Sequence, residues 1–255
     1  MPEGLEAEIY RSAAATLVGR KVTAISVDSL CGDEHQLRSV INGRIEDVAR
    51  HGKFVDIVTT RGVIGMHFGM TGRLIVDEIA AIDRLEYGSA RDDRRWDRII
   101  LQCGNSVIRV NDPRRWSRYS LDPDHSSLGI DLLSSKLVLA TALRSASHRT
   151  SAVKGVLLDQ HLIAGLGNLL ADEVLFDAAI DPARSFDSLS EQNHLTLTES
   201  IFRVVRTLGR RGGSHTGRVG PAIRRVGALC PIDGVELQRR SIAGRTTFSC
   251  PVHQS

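Results

Sequence analysis

Residues 44–67 read RIEDVARHGKFVDIVTTRGVIGMH, and this stretch decides the fold class. β-branched residues come in short runs, and each run is cut by a glycine-bearing turn. A strand leads into His51-Gly52-Lys53, a second covers Phe54–Thr59, Arg61-Gly62 turns the chain, and a third covers Val63–His67. Working outward, Ile99–Gln102 and Val107–Val110 flank Cys103-Gly104-Asn105-Ser106, a hairpin signal. Arg20–Val27 reads as a further strand. Ahead of it, Leu5, Ile9, Ala13 and Leu17 recur every four residues and predict an amphipathic helix closed by Gly19. The N-terminal part is therefore antiparallel β, a sandwich or barrel, with one leading helix.

Beyond it the period changes. A polar, Asp/Pro/Ser-rich segment (119–134) reads as a linker. Helical patterns follow at Lys136–Ala146, Ser151–Leu158, Leu169–Ala178 and Glu191–Leu208, and short strands return around Cys230 and Cys250. The expected class is α+β and multidomain: a β domain over 1–118, the linker, a helical domain over 135–226 and a small terminal module over 227–255.

Bulk properties narrow the function. The chain of 255 residues is 42% hydrophobic, which is ordinary for a globular protein. No apolar run approaches the ~18 residues of a membrane span, and no signal peptide opens the chain. A cytoplasmic protein with no membrane partner is expected. Four cysteines are too few for a disulfide scaffold. The formal net charge of +3 hides an asymmetry: residues 201–255 carry ten Arg, no Lys and two acids, a local net charge of +8. Such a basic end points to a polyanion, most simply nucleic acid.

Six segments bear chemistry. Met1-Pro2-Glu3-Gly4-Leu5-Glu6 places a proline where removal of Met1 leaves a free secondary amine. An α-amino group has a pKa of about 7.7–8.0, so part of it is neutral and nucleophilic near neutral pH. Glu3 and Glu6 supply carboxylates for proton transfer beside it. Lys53 sits at a hairpin tip, where a plain surface lysine is the bland alternative. His67-Phe68-Gly69-Met70-Thr71-Gly72-Arg73 puts Met70 on a tight turn, to wedge into a base stack or to pack back on the core. Asn111-Asp112-Pro113-Arg114-Arg115-Trp116 forms a loop whose Arg114 and Arg115 suit phosphates or base edges, and whose Trp116 can stack. Lys154 precedes a glycine-bearing joint, Gly165-Leu166-Gly167-Asn168, that either cradles a phosphate with Asn168 capping the next helix or simply packs two helices. A dinucleotide motif needs a third glycine where Leu170 stands, so that reading fails. Finally, Cys230-Pro-Ile-Asp233 and Cys250-Pro-Val-His253, with sixteen residues between Asp233 and Cys250, have zinc-ribbon spacing. With Asp and His in two of the four ligand positions, one structural zinc and a metal-free hairpin both stay open.

Taken in order over nearly the whole chain, these segments resemble the formamidopyrimidine-DNA glycosylase / endonuclease VIII family of bacterial base-excision repair enzymes. Leu157-Leu158-Asp159-Gln160, Ala171-Asp172-Glu173 and Gly244-Arg245-Thr246-Thr247-Phe248-Ser249-Cys250 add to the match. The resemblance implies a β-sandwich with a leading helix, a helix–two-turn–helix domain and a zinc-ribbon-like finger. It implies damaged double-stranded DNA as partner, with the protein acting as a monomer. It implies Pro2 as the nucleophile at the sugar C1′, Glu3 as proton donor and acceptor, and Lys53 as a proton donor or phosphate contact. Met70, Arg114 and Trp116 would fill the gap left by a flipped base, and Lys154, Asn168 and Arg245 would grip phosphates. The short Gly- and Arg-rich segment from Leu208 to Gly227 and the opening Pro-Glu-Gly lean towards oxidised pyrimidines or broad specificity. Two other classes compete: a non-catalytic damaged-DNA binder of the same fold, and a basic zinc-ribbon RNA-binding module, which leaves the N-terminal triplet unexplained.

Overall fold

The structure, a computed structural model, describes residues 2–83, 85 and 88–254. It divides into two compact units, Met1–Ser126 and Ser127–Ser255.

The first unit opens with α1 (Gly4–Ala15), followed by β1 (Ala24–Val27) and the short α2 (Glu34–Leu37). Then come β2 (Ile45–His51), β3 (Phe54–Thr59), β4 (Gly62–His67), β5 (Arg73–Val76), β6 (Ile79–Ala80), β7 (Asp97–Cys103), β8 (Ser106–Asn111) and β9 (Arg118–Leu121). The strands form a five-stranded sheet, β1-β7-β8-β5-β6, and a four-stranded sheet, β2-β3-β4-β9. Every strand pair is antiparallel. Val55, Ile57, Ile64 and Met66 from one sheet share a core with Leu74, Ile99, Leu101, Ile108 and Val110 from the other. Alternation along each strand turns one face inward, so a sandwich results.

The helix α1 lies against this core through Ala7, Tyr10 and Ala14, with Leu17 just beyond it. Of the four-residue spacing read from the sequence, Leu5 and Leu17 are buried, and Ile9 and Ala13 are half-buried and pack against this core. Fully buried Tyr10 widens that face beyond the spacing. The strand expected over Arg20–Val27 is regular only from Ala24, because Lys21 makes just an isolated bridge to Arg44.

In the second unit β10 (Ile130–Asp131) pairs in parallel with β11 (Ile163–Ala164), between α4 (Val153–Leu158) and α5 (Asn168–Asp177). The other helices are α3 (Lys136–Ser145) and α6 (Glu191–Arg211). A Ser190/Asn193 capping box starts α6, and Gly212 at φ +101° ends it. The hairpin β12 (Gln238–Ile242) and β13 (Arg245–Ser249) completes the unit. Phe248, Cys230 and Cys250 pack in one cluster with Phe176 of α5, so helical and terminal segments share this core. The segment read as a linker contributes at both ends: Arg118–Leu121 extends the first unit's sheet, and Ile130–Asp131 pairs within the second.

Candidate active site

Each unit carries candidate functional residues of its own. In the first, Glu3 is the N-cap residue of α1, and Pro2 precedes it; both are buried. Met1 lies outside the described residues, so the expectation that it is removed falls there too. Glu6, expected among the catalytic carboxylates, has a different position. Its Oε2 accepts the Glu3 backbone N–H at 2.8 Å. The first N–H groups of a helix lack intrahelical partners, and a carboxylate in the first turn satisfies one of them. Glu6 thus fixes the backbone of Glu3, while Glu3 is 1% exposed.

Further along α1, Tyr10 ties the helix to the Met70 turn. Its hydroxyl donates to the Gly72 carbonyl at 3.2 Å, and its ring centroid lies 4.6 Å from that of Phe68. Burial, with the Glu6 carboxylate adding to it, holds the Tyr10 phenol far above its ordinary range, so it remains a donor. The Gly72 N–H closes the turn onto the Phe68 carbonyl at 2.9 Å. Gly69 adopts φ +57°, and a Cβ there would fall 2.6 Å from the backbone of Trp116. Only glycine fits that approach, which brings the two loops into contact; Met70, the next residue, is half-buried.

Asp112 joins the same loops chemically. Fully buried, it accepts the Thr71 hydroxyl in a short hydrogen bond and the backbone N–H groups of Arg114 (3.1 Å), Trp116 (2.7 Å) and Ser117 (2.8 Å). A buried carboxylate is tolerated where donors saturate it, as here. Trp116 is left 47% exposed, with the Arg114 guanidinium 5.2 Å from its ring centre. Arg115, expected beside Arg114 as a DNA contact, adopts φ +56° and turns to Asp28, its Nε donating at 2.9 Å. Thr71 and Asp112 were missed from sequence because Asp-Pro reads first as a turn.

Lys53 occupies the tip of the β2–β3 hairpin, between the paired His51 and Phe54, after Gly52 at φ +58°. It is half-buried. Burial first, then the charges of Lys53 and Arg118, pushes His67 down to about 4. Neutral His67 accepts the Gly69 N–H on Nδ1 at 3.3 Å, supporting the turn below Met70.

In the second unit Lys154, Asn168 and Arg245 converge on the start of β13. Lys154 has no exposed surface: its Nζ lies 2.6 Å from Asp172 and donates to the Thr247 hydroxyl at 2.7 Å. It was expected to grip a phosphate. As placed, its charge is satisfied inside the protein, and Arg224 pairs with the other oxygen of Asp172. Asn168 does not cap α5; Gly167 stands at the cap, and the Asn168 amide donates to the Thr246 carbonyl at 3.1 Å. The Gly165 N–H, a candidate anion donor, is taken by Gln160 Oε1 at 3.0 Å. Arg245 is exposed beside the Ala243-Gly244 turn, whose φ values are +49° and +70°. The loop after α6 is held by Glu173, which accepts the Arg218 and Val219 N–H groups, each at 2.8 Å.

Cys230, Asp233 and Cys250 bring ligand atoms within 4.8 Å of one another, and this cluster could hold a metal ion. Backbone N–H groups of Val252 (3.4 Å) and His253 (3.3 Å) point at the Cys250 sulfur, and that of Ile232 (3.5 Å) at Cys230. Such donors suit thiolates. His253, the expected fourth ligand, stands outside the cluster. Its Nε2 lies 2.8 Å from the Phe176 carbonyl, a bond that, donated from Nε2, leaves Nδ1 as the open donor atom.

Comparison with known proteins identifies the fold and the family. The family model for the formamidopyrimidine-DNA glycosylase N-terminal domain matches residues 1–119, and that for the formamidopyrimidine-DNA glycosylase H2TH domain matches residues 128–218. The chain is 29% identical to the formamidopyrimidine-DNA glycosylase of Vibrio atlanticus, covering 98% of each. It is also 29% identical to that of Herpetosiphon aurantiacus over the full length of both. Among solved structures, the Lactococcus lactis Fpg in complex with abasic-site DNA shares the fold, with a TM-score of 0.80, 23% identity and 99% of each chain covered. The fold and its ordered motifs thus define a DNA glycosylase. The chain belongs to the formamidopyrimidine-DNA glycosylase / endonuclease VIII family. Among the described residues, no helix is long and apolar enough to cross a membrane.

Proposed function

We propose that the chain is a bifunctional DNA glycosylase and AP lyase that removes oxidised bases from double-stranded DNA. The observation that carries this reading is the Gly69–Trp116 contact with the Asp112 bonds around it, which holds Met70, Arg114 and Trp116 as one unit tied through Tyr10 to the helix headed by Pro2 and Glu3.

A base within a duplex is out of reach, so it must be flipped out and its place filled. Unstacking costs a few kcal/mol, which an aromatic wedge and phosphate contacts offset. Met70, Arg114 and Trp116 fill the gap. The amine of a Met1-processed Pro2 attacks C1′, the bond from C1′ to the base breaks, and the base leaves with a proton. Glu3, shielded from water, protonates the ring oxygen as the sugar opens to the iminium. Loss of a proton from C2′ then expels the 3′ phosphate, and a second elimination can follow at the 5′ side. Lys53 serves as proton donor or phosphate contact. Arg245 and Asn168 contact the backbone, while Lys154 positions β13 through Asp172 and Thr247. Arg115 acts from its pairing with Asp28, shaping the loop.

One zinc would be held by Cys230, Asp233 and Cys250, with His253 as the fourth ligand that the spacing suggests, and would stabilise the terminal hairpin. Boundaries near 118, 134 and 226, monomeric action and a cytoplasmic location complete the reading. Substrates to test come from the solved Lactococcus lactis complexes, which hold abasic-site, FAPY-dG and oxidised-pyrimidine DNA.

Borohydride trapping tests the chemistry. Protein whose N-terminal mass shows Pro2 first is expected to form a covalent adduct with abasic or oxidised-base duplexes. Absence of an adduct from such protein, folded and DNA-bound, overturns the assignment.

A further inference from the structure

Asp56 sits in β3 between Val55 and Ile57, both in the sandwich core. Strand alternation turns its side chain to the opposite face, yet it is 4% exposed. A carboxylate removed from water needs partners. His125 Nε2 lies 2.8 Å from its Oδ2, and His51 Nε2 lies 3.5 Å from that same oxygen. Its Oδ1 is buried with no hydrogen-bond partner. The two imidazoles stack with centroids 4.7 Å apart, and Phe54 packs on His125 at 4.9 Å.

We propose that His51, Asp56 and His125 form a binding site for a divalent transition-metal cation beside the tip of the Lys53 hairpin, separate from the cysteine cluster. A His–Asp pair needs one imidazole. Two imidazoles directed at a single oxygen, with the other oxygen bare, are what a shared cation explains. The ligand atoms lie within 4.8 Å of one another. Two imidazole nitrogens and a carboxylate oxygen suit zinc, cobalt, nickel or copper, whereas magnesium and calcium prefer all-oxygen sites. Bonds of about 2.0–2.2 Å at a tetrahedral centre place neighbouring donors ~3.3 Å apart. The observed separations of 2.8 and 3.5 Å bracket that distance. The His51 side chain is 50% exposed, which gives an ion an entry path and leaves room for water as a further ligand. A bound cation fixes His51, two residues before Lys53, and so stiffens the tip that carries that lysine.

Calorimetric titration of the full chain with Zn2+ and Co2+ tests the proposal, comparing the unsubstituted protein with His51→Ala and His125→Ala. Each variant is expected to take up one equivalent fewer, or to bind it at least ~100-fold more weakly, since even outer-shell changes cost about 10–100-fold. In addition, Co2+ is expected to broaden the ring signals of both histidines in the unsubstituted protein. Equal stoichiometry and affinity in all three proteins overturns the site, whatever the cysteine cluster binds. The half-exposed His51 keeps the test valid should His125→Ala fold poorly.

Discussion

The Thr71 hydroxyl donates a short hydrogen bond to the buried carboxylate of Asp112, joining two loops 41 residues apart in sequence. The same carboxylate holds the Trp116 and Ser117 backbone, so the bond couples the Met70 turn to the Trp116 loop. Hydrogen bonds to charged groups contribute about 1.5–3 kcal/mol. Thr71→Val is therefore expected to lower unfolding stability by about that amount in urea titrations. Base excision from a paired lesion should fall further than cleavage at a preformed abasic site, where less unstacking is needed. Equal losses on both substrates would show that the coupling serves stability alone.

How much of this was legible in the sequence depends on range. Turns and strands around Gly52-Lys53 and Cys103-Gly104 were readable because their signals are local. β3 spans Phe54–Thr59, the bounds set by the Gly52-Lys53 and Arg61-Gly62 turns on either side. The packing face of α1 is wider than the four-residue spacing, which does not say that Tyr10 also faces inward. Glu6 as a cap, Arg115 on Asp28 and Lys154 on Asp172 all depend on which neighbour lies within 3 Å. Glu6 stands three residues from Glu3 in one helical turn, a local capping signal. For Arg115 and Lys154 the neighbour comes from a distant segment, which composition cannot reveal. Asp112 was hidden for the same reason: four donors converge on it from two loops.

Glu3 is the residue whose chemistry is most sharply tested. It is 1% exposed and its backbone is pinned by Glu6. Glu3→Gln keeps the size and removes the proton transfer. DNA affinity is expected to stay within a few-fold, while excision of an oxidised base drops by at least about 100-fold, the lower end of general acid–base contributions. Single-turnover cleavage together with a gel-shift titration measures both, and unchanged turnover removes Glu3 from its role.

The position of His67 makes stability pH-dependent. Burial, with the Lys53 and Arg118 charges, pushes its folded pKa down to about 4, below the ordinary 6.5. The native state therefore keeps His67 neutral where the unfolded chain takes up a proton. Its contribution is complete above pH 6.5 and is lost as pH falls towards 4. The slope in that window is at most ~1.4 kcal/mol per pH unit for one group. Urea titrations are expected to show a steeper fall for the unsubstituted protein than for His67→Gln. Parallel curves would place the titration elsewhere.

Lys154 offers a contrast between internal pairing and DNA contact. Its ammonium and the Asp172 carboxylate are both wholly buried, and Arg224 shares the carboxylate. Removing one partner of a buried pair costs about 3–5 kcal/mol. Lys154→Met is expected near the lower end, because Arg224 stays in place. Lys154→Met/Asp172→Leu should lose less than the sum of the two single changes, a coupling that denaturant midpoints measure. Weakened DNA binding with unchanged stability would instead assign the lysine to a phosphate.

Arg245 is the exposed counterpart. It stands beside a two-residue turn enforced by Ala243 and Gly244, with its strand anchored by the Asn168 and Arg224 bonds to the Thr246 carbonyl. In the proposed reading this guanidinium meets phosphate, a contact that carries no sequence information of its own. Each phosphate neutralised releases close to one counterion, so Arg245→Ala is expected to weaken binding to all sequences alike. It should also reduce the slope of log affinity against log salt by about 1. Folding should be unaffected, because the side chain is exposed. Fluorescence anisotropy over a range of salt concentrations, on lesion-bearing and undamaged duplexes, reads both quantities. A slope equal to that of the unsubstituted protein would take Arg245 off the phosphate backbone, and a loss confined to one sequence would move it to a base edge.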